Sequence, residues 1–224
     1  MSLYLILYNF IQFCGWCFFF SKVTLDLIAS KSIQEIYADT HIILECCQYF
    51  AFLEIIHAIF GMVKTRLLPT IIQISIRIFI VFLLQFFPSA LTYGFLIICF
   101  AWSSIEIVRY SFYVLKLIKK DSNSFNIPYF LTWCRYTFFI WLYPIGSIGE
   151  MMTLWNAQKD CSKYILWKNN DISITAAIFF YPLYILFIPT FISMYGYLFN
   201  LRKKVLYRLN NININININI KKNE

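Results

Sequence analysis

Tyr136, Tyr143 and Glu150 recur at seven-residue intervals within RYTFFIWLYPIGSIGE (135–150), so on an α-helix they share one face. Two phenols and a carboxylate can divide proton donation and acceptance between them. Other ionisable groups stand in equally apolar company. Glu54 and His57 are at i,i+3, as are Glu106 and Arg109, and Arg77 and Arg135 each sit in an apolar run. An ionisable side chain at membrane depth is costly and marks a candidate functional site. Pairing that specifies helix packing is the competing explanation.

The elements that must position these groups are apolar helices. The 224 residues are 60% hydrophobic and 13% charged, whereas a soluble domain is nearer half apolar and a quarter charged. So few charges cannot cover this apolar surface. The chain is predicted to be an all-α, polytopic membrane helical bundle with six transmembrane helices. The spans fall at about 3–20, 41–63, 69–87, 91–117, 128–150 and 172–200. Polar loops are expected over 21–40, from Lys116 to Pro128, and over 151–171, with a short basic connection at Lys64 and Arg66 and a turn at Pro88-Ser89. The first span begins next to Met1 without a basic flank or a small-residue cleavage site, which suits a retained helix rather than a signal peptide. Residues 1–209 form one transmembrane domain, and 210–224 an Asn/Ile low-complexity tail with nothing to pack on.

The net charge is +8. Its basic residues flank the apolar spans, which is a topology signal and gives no reason to expect nucleic acid. One side holds Lys64, Arg66, Lys116, Lys119, Lys120 and the basic C-terminal segment; the other holds Lys22, Lys31, Lys159, Lys163 and Lys168. The richer side is expected in the cytosol, and with six spans both termini lie there. The chain closes on Lys221-Lys222-Asn223-Glu224, which resembles a dilysine retrieval signal and points to the endoplasmic reticulum membrane.

Several chemistries lack their residues. Cys14-Gly-Trp-Cys17 has CxxC spacing but lies in an apolar helix without a βαβ context, so the cysteines read as small buried hydrophobes. His41 and His57 have no ligand spacing to a cysteine pair, and no metal is expected. There is no Cys-x5-Arg loop, no HExxH, no Gly-x-Ser-x-Gly elbow and no phosphate-cradling glycine loop.

Five stretches carry a specific resemblance: YLILYNFIQFCGW (4–16), LEIIHAIFGMV (53–63), QISIRIFIVF (73–82), AWSSIEIVRYSFY (101–113) and RYTFFIWLYPIGSIGE (135–150). In order through the first five spans, they resemble the very-long-chain 3-hydroxyacyl-CoA dehydratase family, also called protein tyrosine phosphatase-like proteins. The resemblance implies a lyase of the endoplasmic reticulum membrane. It would remove water from long- and very-long-chain 3-hydroxyacyl-CoA to give trans-2-enoyl-CoA, the third step of fatty acid elongation. Its expected partners are the condensing enzyme and the ketoacyl and enoyl reductases of that cycle. The family's Tyr-Pro-x-Gly-x-x-x-Glu pattern falls on Tyr143 and Glu150, which are thereby the implied catalytic pair.

The chemistry of that step suits the pair. Elimination of water needs a base at C2 and an acid at the 3-hydroxyl, with no cofactor, since neither redox nor group transfer occurs. Glu150 can act as neutral acid with Tyr143 as base beside an arginine, or the carboxylate can be base and the phenol acid. Arg77, Arg109 and Arg135 are candidates for that arginine, and Glu106 and Tyr136 for supporting positions. Seven residues of helix rise about 10.5 Å, so a break between Pro144 and Gly149 is expected to bring the pair together. Glu150 is expected near the lumenal end of its span, with the coenzyme A held at the basic loops around 64–66 and 116–120. Two other functions fit an intramembrane charge cluster: an inactive membrane scaffold, which retention of Tyr143 and Glu150 disfavours, and a small transporter, which the lack of an internal repeat disfavours.

Overall fold

The computed structural model describes residues 2–63, 65, 67–121, 127–168 and 173–223. Lys64, Arg66, Asp171 and Glu224, used above, lie outside the described residues. The order is α1 (Ser2–Ile28), α2 (Ile33–Ile59), α3 (Leu67–Phe86), a 3₁₀ turn (Pro88–Ala90), α4 (Tyr93–Asp121), α5 (Tyr129–Thr137), α6 (Phe139–Cys161), a hairpin of β1 (Ile165–Lys168) and β2 (Ser173–Thr175), a 3₁₀ turn (Ala176–Phe179), and α7 (Phe180–Asn223). Segments within α1, α2, α3, α4 and the 176–205 region are long and apolar enough to cross a membrane. The α6 helix, with Glu150, Lys159 and Asp160, is not in that set.

Of the expected boundaries that move, three do so for a local reason. Of the charges in the expected 21–40 loop, Lys22 and Asp26 fall inside α1, Glu35 and Asp39 inside α2, and Lys31 in the turn between, where it pairs with both helices. Lys31 Nζ lies 2.8 Å from Asp26 Oδ1 and is also bonded to Asp39, and Lys22 Nζ lies 2.9 Å from Asp26 Oδ1. Hydrogen bonds to Asp26 and Asp39 hold the Lys31 ammonium above the usual lysine range. Ser32 then starts α2 with a capping box: its Oγ accepts from Glu35 N at 3.3 Å, and its N donates to Glu35 Oε2 at 2.8 Å. The chain turns between α1 and α2 in four residues, 29–32.

The second correction concerns residues 151–161, expected as polar connection but helical. The polar end of α6 is anchored there, since Asp160 accepts from Ser89 N at 3.0 Å and from Lys163 Nζ at 2.6 Å. Third, residues 173–175 are not the start of the last span. Ser173, Ile174 and Thr175 pair with the branched and aromatic run at Ile165–Lys168, with Trp167 opposite Ile174. The backbone of α7 runs on through the Asn/Ile tract to Asn223.

The core centres on α4. Trp16 and Phe19 of α1, Leu84 of α3, and Phe95, Ile98 and Trp102 of α4 are buried together. The α4 and α6 backbones touch at a pair of glycines. A Cβ on Gly149 would come within 2.9 Å of Gly94 O, and one on Gly94 within 2.9 Å of Met152 Cβ. Only a bare backbone allows this approach.

Candidate active site

The helix bearing Tyr143 and Glu150 breaks, but not where expected. The interruption is at Phe138, whose carbonyl accepts from both Trp141 N (3.2 Å) and Leu142 N (3.0 Å), and α6 then runs unbroken through Pro144, Gly146 and Gly149. Pro144 has no N–H to give to Ile140 O. The Tyr195 hydroxyl of α7 donates to that carbonyl instead, at 2.9 Å. Gly146 and Gly149 serve close packing rather than bending: Gly146 faces Ala101 and Trp102, and Gly149 faces Gly94. Because α6 continues to Cys161, Glu150 lies at the centre of this helix.

An unbroken helix still brings the pair to one place. Tyr143, Gly146, Ser147 and Glu150 follow i, i+3, i+4, i+7 spacing and line one wall of a cavity between α3, α4, α6 and α7. Gln73 and Arg77 of α3 and Trp102 of α4 complete its polar part. Ile76, Ile105, Phe187, Phe191 and Met194 make the rest predominantly apolar. Trp102 Nε1 donates to Glu150 Oε1 at 3.0 Å, which fixes the carboxyl. The Phe191 ring lies 6.3 Å from that of Tyr143, tilted by 33°.

Arg77 reaches the cavity from a buried ionic network. Its guanidinium sits 5.1 Å from the Trp102 ring and pairs with Glu106, which is 1% exposed. Glu106 also accepts from Arg109 Nε at 2.5 Å. Arg109 grips Glu54 with both terminal nitrogens, at 2.8 and 2.7 Å, and Tyr110 Oη donates to the same carboxylate at 2.5 Å. Two carboxylates and two guanidiniums thus alternate across α2, α3 and α4, each desolvated charge facing an opposite one. His57 turns away from this chain, with its Nε2 2.9 Å from Tyr4 Oη.

The sequence candidates therefore separate. Arg77, Tyr143 and Glu150 line the cavity. Glu106 and Arg109 stand behind Arg77. Arg135 and Tyr136 belong to α5, on the other side of the break. Arg135 Nη2 donates to Tyr113 Oη at 3.2 Å, and Tyr136 packs edge-on against Phe112 at 5.9 Å. The seven-residue spacing would keep Tyr136 on the face of Tyr143 only in a continuous helix, and Phe138 ends that continuity. Reasoning from sequence missed Trp102, Gln73, Ser147 and Tyr195. A signal for Trp102 was present: it precedes Glu106 by four residues and so shares its helical face. Among the described residues, no three metal-ligating side chains converge.

Comparison with known proteins places the chain in a family. The family model described as protein tyrosine phosphatase-like protein, PTPLA, matches residues 48–208. The chain is 34% identical over 210 residues to the very-long-chain (3R)-3-hydroxyacyl-CoA dehydratase hpo-8 of Caenorhabditis elegans, covering 91% of this chain and 94% of that one. It is 31% identical over 208 residues to the probable very-long-chain (3R)-3-hydroxyacyl-CoA dehydratase of Schizosaccharomyces pombe, covering 92% and 93%. It is 30% identical over 213 residues to the very-long-chain (3R)-3-hydroxyacyl-CoA dehydratase 1 of Canis lupus familiaris, covering 92% and 83%. No solved structure matches the chain.

Proposed function

We propose, from the premise that the chain belongs to the protein tyrosine phosphatase-like, PTPLA, family, that it is a hydro-lyase converting very-long-chain (3R)-3-hydroxyacyl-CoA to trans-2-enoyl-CoA. The observation that carries this is the convergence of Tyr143 and Glu150 on one largely apolar cavity with Arg77 in its wall. The apolar part suits the acyl chain next to the reacting carbons. In the reaction a base takes the C2 proton, the electron pair forms the C2–C3 double bond, and the 3-hydroxyl leaves as water with a proton from the acid. Tyr143 and Glu150 divide those two transfers. Trp102 holds the carboxyl in place, and the Arg77 cation stabilises negative charge that develops on the thioester oxygen.

The test is dehydration of a 3-hydroxyacyl-CoA series of increasing chain length by purified protein in detergent. Tyr143→Phe and Glu150→Gln are each expected to lower kcat by roughly 10²- to 10⁴-fold. A wild-type protein that leaves every chain length untouched overturns the reading.

The wider setting follows from the same proposal. The α5–α6 segment makes a sixth crossing beside the five apolar helices, which returns both termini to the cytosolic side favoured by the basic residues. The membrane is that of the endoplasmic reticulum, and the coenzyme A lies towards the cytosolic basic loops. The substrate is what a ketoacyl reductase makes and the product what an enoyl reductase consumes, so these enzymes and the condensing enzyme are its natural neighbours.

A further inference from the structure

The last helix is the least anchored wall of the cavity. The last of the five membrane-length helices buries the smallest share of its apolar stretch, 11% against 33–50% in the other four. Yet Phe187, Thr190, Phe191 and Met194 of α7 line the cavity opposite Tyr143 and Glu150. What holds α7 to α6 there is a ladder of rings at i,i+4 spacing. Phe191 lies beside Tyr143, Tyr195 stacks on Phe191 at 5.4 Å, and Phe199 meets Tyr195 edge-on at 4.9 Å. Phe139 of α6 closes the ladder, 5.8 Å from Tyr195 and 5.4 Å from Phe199.

One polar bond lies within this ladder, and Pro144 creates the demand for it. The ring of Pro144 leaves Ile140 O without its helical donor, three residues before Tyr143, and Tyr195 Oη supplies the missing bond. Tyr195 is not among the residues that line the cavity, and its hydroxyl is turned to Ile140 O.

We propose that Tyr195 is a positioning residue: its hydroxyl replaces the backbone bond that Pro144 removes, and so sets the turn of α6 that aims Tyr143 into the cavity and fixes α7 as its outer wall. The inference rests on the dehydratase reading for its effect on catalysis, but not for the bond itself. Pro144 and Tyr195 are coupled because the Tyr195 hydroxyl is needed only while Pro144 withholds the backbone N–H.

The test is a double-mutant cycle in the full-length protein, read in both kcat and Tm. Tyr195→Phe keeps the ring ladder and removes only the hydroxyl. In the native background it is expected to lower kcat about tenfold with KM little changed, and to lower Tm. Pro144→Ala restores an N–H to Ile140 O. In that background Tyr195→Phe is expected to change neither kcat nor Tm appreciably. Pro144→Leu provides a second background with the same N–H should the alanine variant fail to fold. Equal losses in the two backgrounds, or no loss of kcat in the native one, overturn the proposal. Coupling in Tm without coupling in kcat keeps the bond but removes its positioning role, which also overturns it. A wild-type protein without dehydratase activity defeats the functional reading instead, and the Tm cycle still reports on the bond.

Discussion

At the residue scale, the cavity depends on side chains that hold other side chains. Trp102 bonds Glu150 through its indole N–H and offers its ring to Arg77. Trp102→Phe removes the first interaction and retains an aromatic face for the second. Loss of a hydrogen bond to a carboxyl costs about 1.5–3 kcal/mol, so kcat is expected to fall roughly 10- to 100-fold. An unchanged kcat in steady-state dehydration assays would show that Trp102 does not orient Glu150. Tyr143 and Glu150 could be named from the resemblance to the family's Tyr-Pro-x-Gly-x-x-x-Glu pattern, and Arg77 because an ionisable group in an apolar run stands out. Trp102 shares a helical face with Glu106, but its role shows only once its N–H is seen to have Glu150 as partner. Tyr136 had the right spacing, and the backbone break at Phe138 made that spacing irrelevant.

At the element scale, the glycines of α6 turned out to serve proximity. A Cβ at Gly149 would meet Gly94 O at 2.9 Å and Ile97 and Ile98 side chains at 3.0 Å. Gly149→Ala therefore forces α4 and α6 apart, at a cost of about 1–3 kcal/mol. Gly196 in α7 has nothing within 4 Å of the same atom, and Gly196→Ala is expected to stabilise by up to about 1 kcal/mol through helix propensity. Thermal melts in detergent check the opposite signs; a Gly149→Ala melt at or above wild type contradicts the packing argument. The cores of the helices were legible as apolar runs, but their ends were not. Lys22, Asp26 and Asp39 look like loop residues in one dimension and pair across two helix ends in three. The expected break at Pro144 failed for a similar reason, since its replacement donor, Tyr195, lies 51 positions later in a different helix.

At the scale of the whole molecule, the five apolar helices alone would leave the termini on opposite sides, and α5–α6 decides the matter. With that segment crossing, tags at the two ends are expected to show the same accessibility to protease in sealed microsomes, both facing the cytosol. Protection of one tag and cleavage of the other would show that α5–α6 does not cross. The hairpin at 165–175 lay beyond the sequence reading because its strands are short and one begins where the last apolar run was expected to start.

The alternating network of Glu54, Arg77, Glu106 and Arg109 also governs how the chain can be made. An arginine alone costs about 2.5–3.5 kcal/mol at the centre of an inserting helix. The α2 helix leaves the ribosome with Glu54, and α3 with Arg77, before α4 exists to supply Glu106 and Arg109. The first three helices therefore carry one acidic and one basic group whose final partners both come with α4. Emergence of α4 closes the network, so the cavity wall of α6 and α7 is added to a scaffold whose buried charges already have partners.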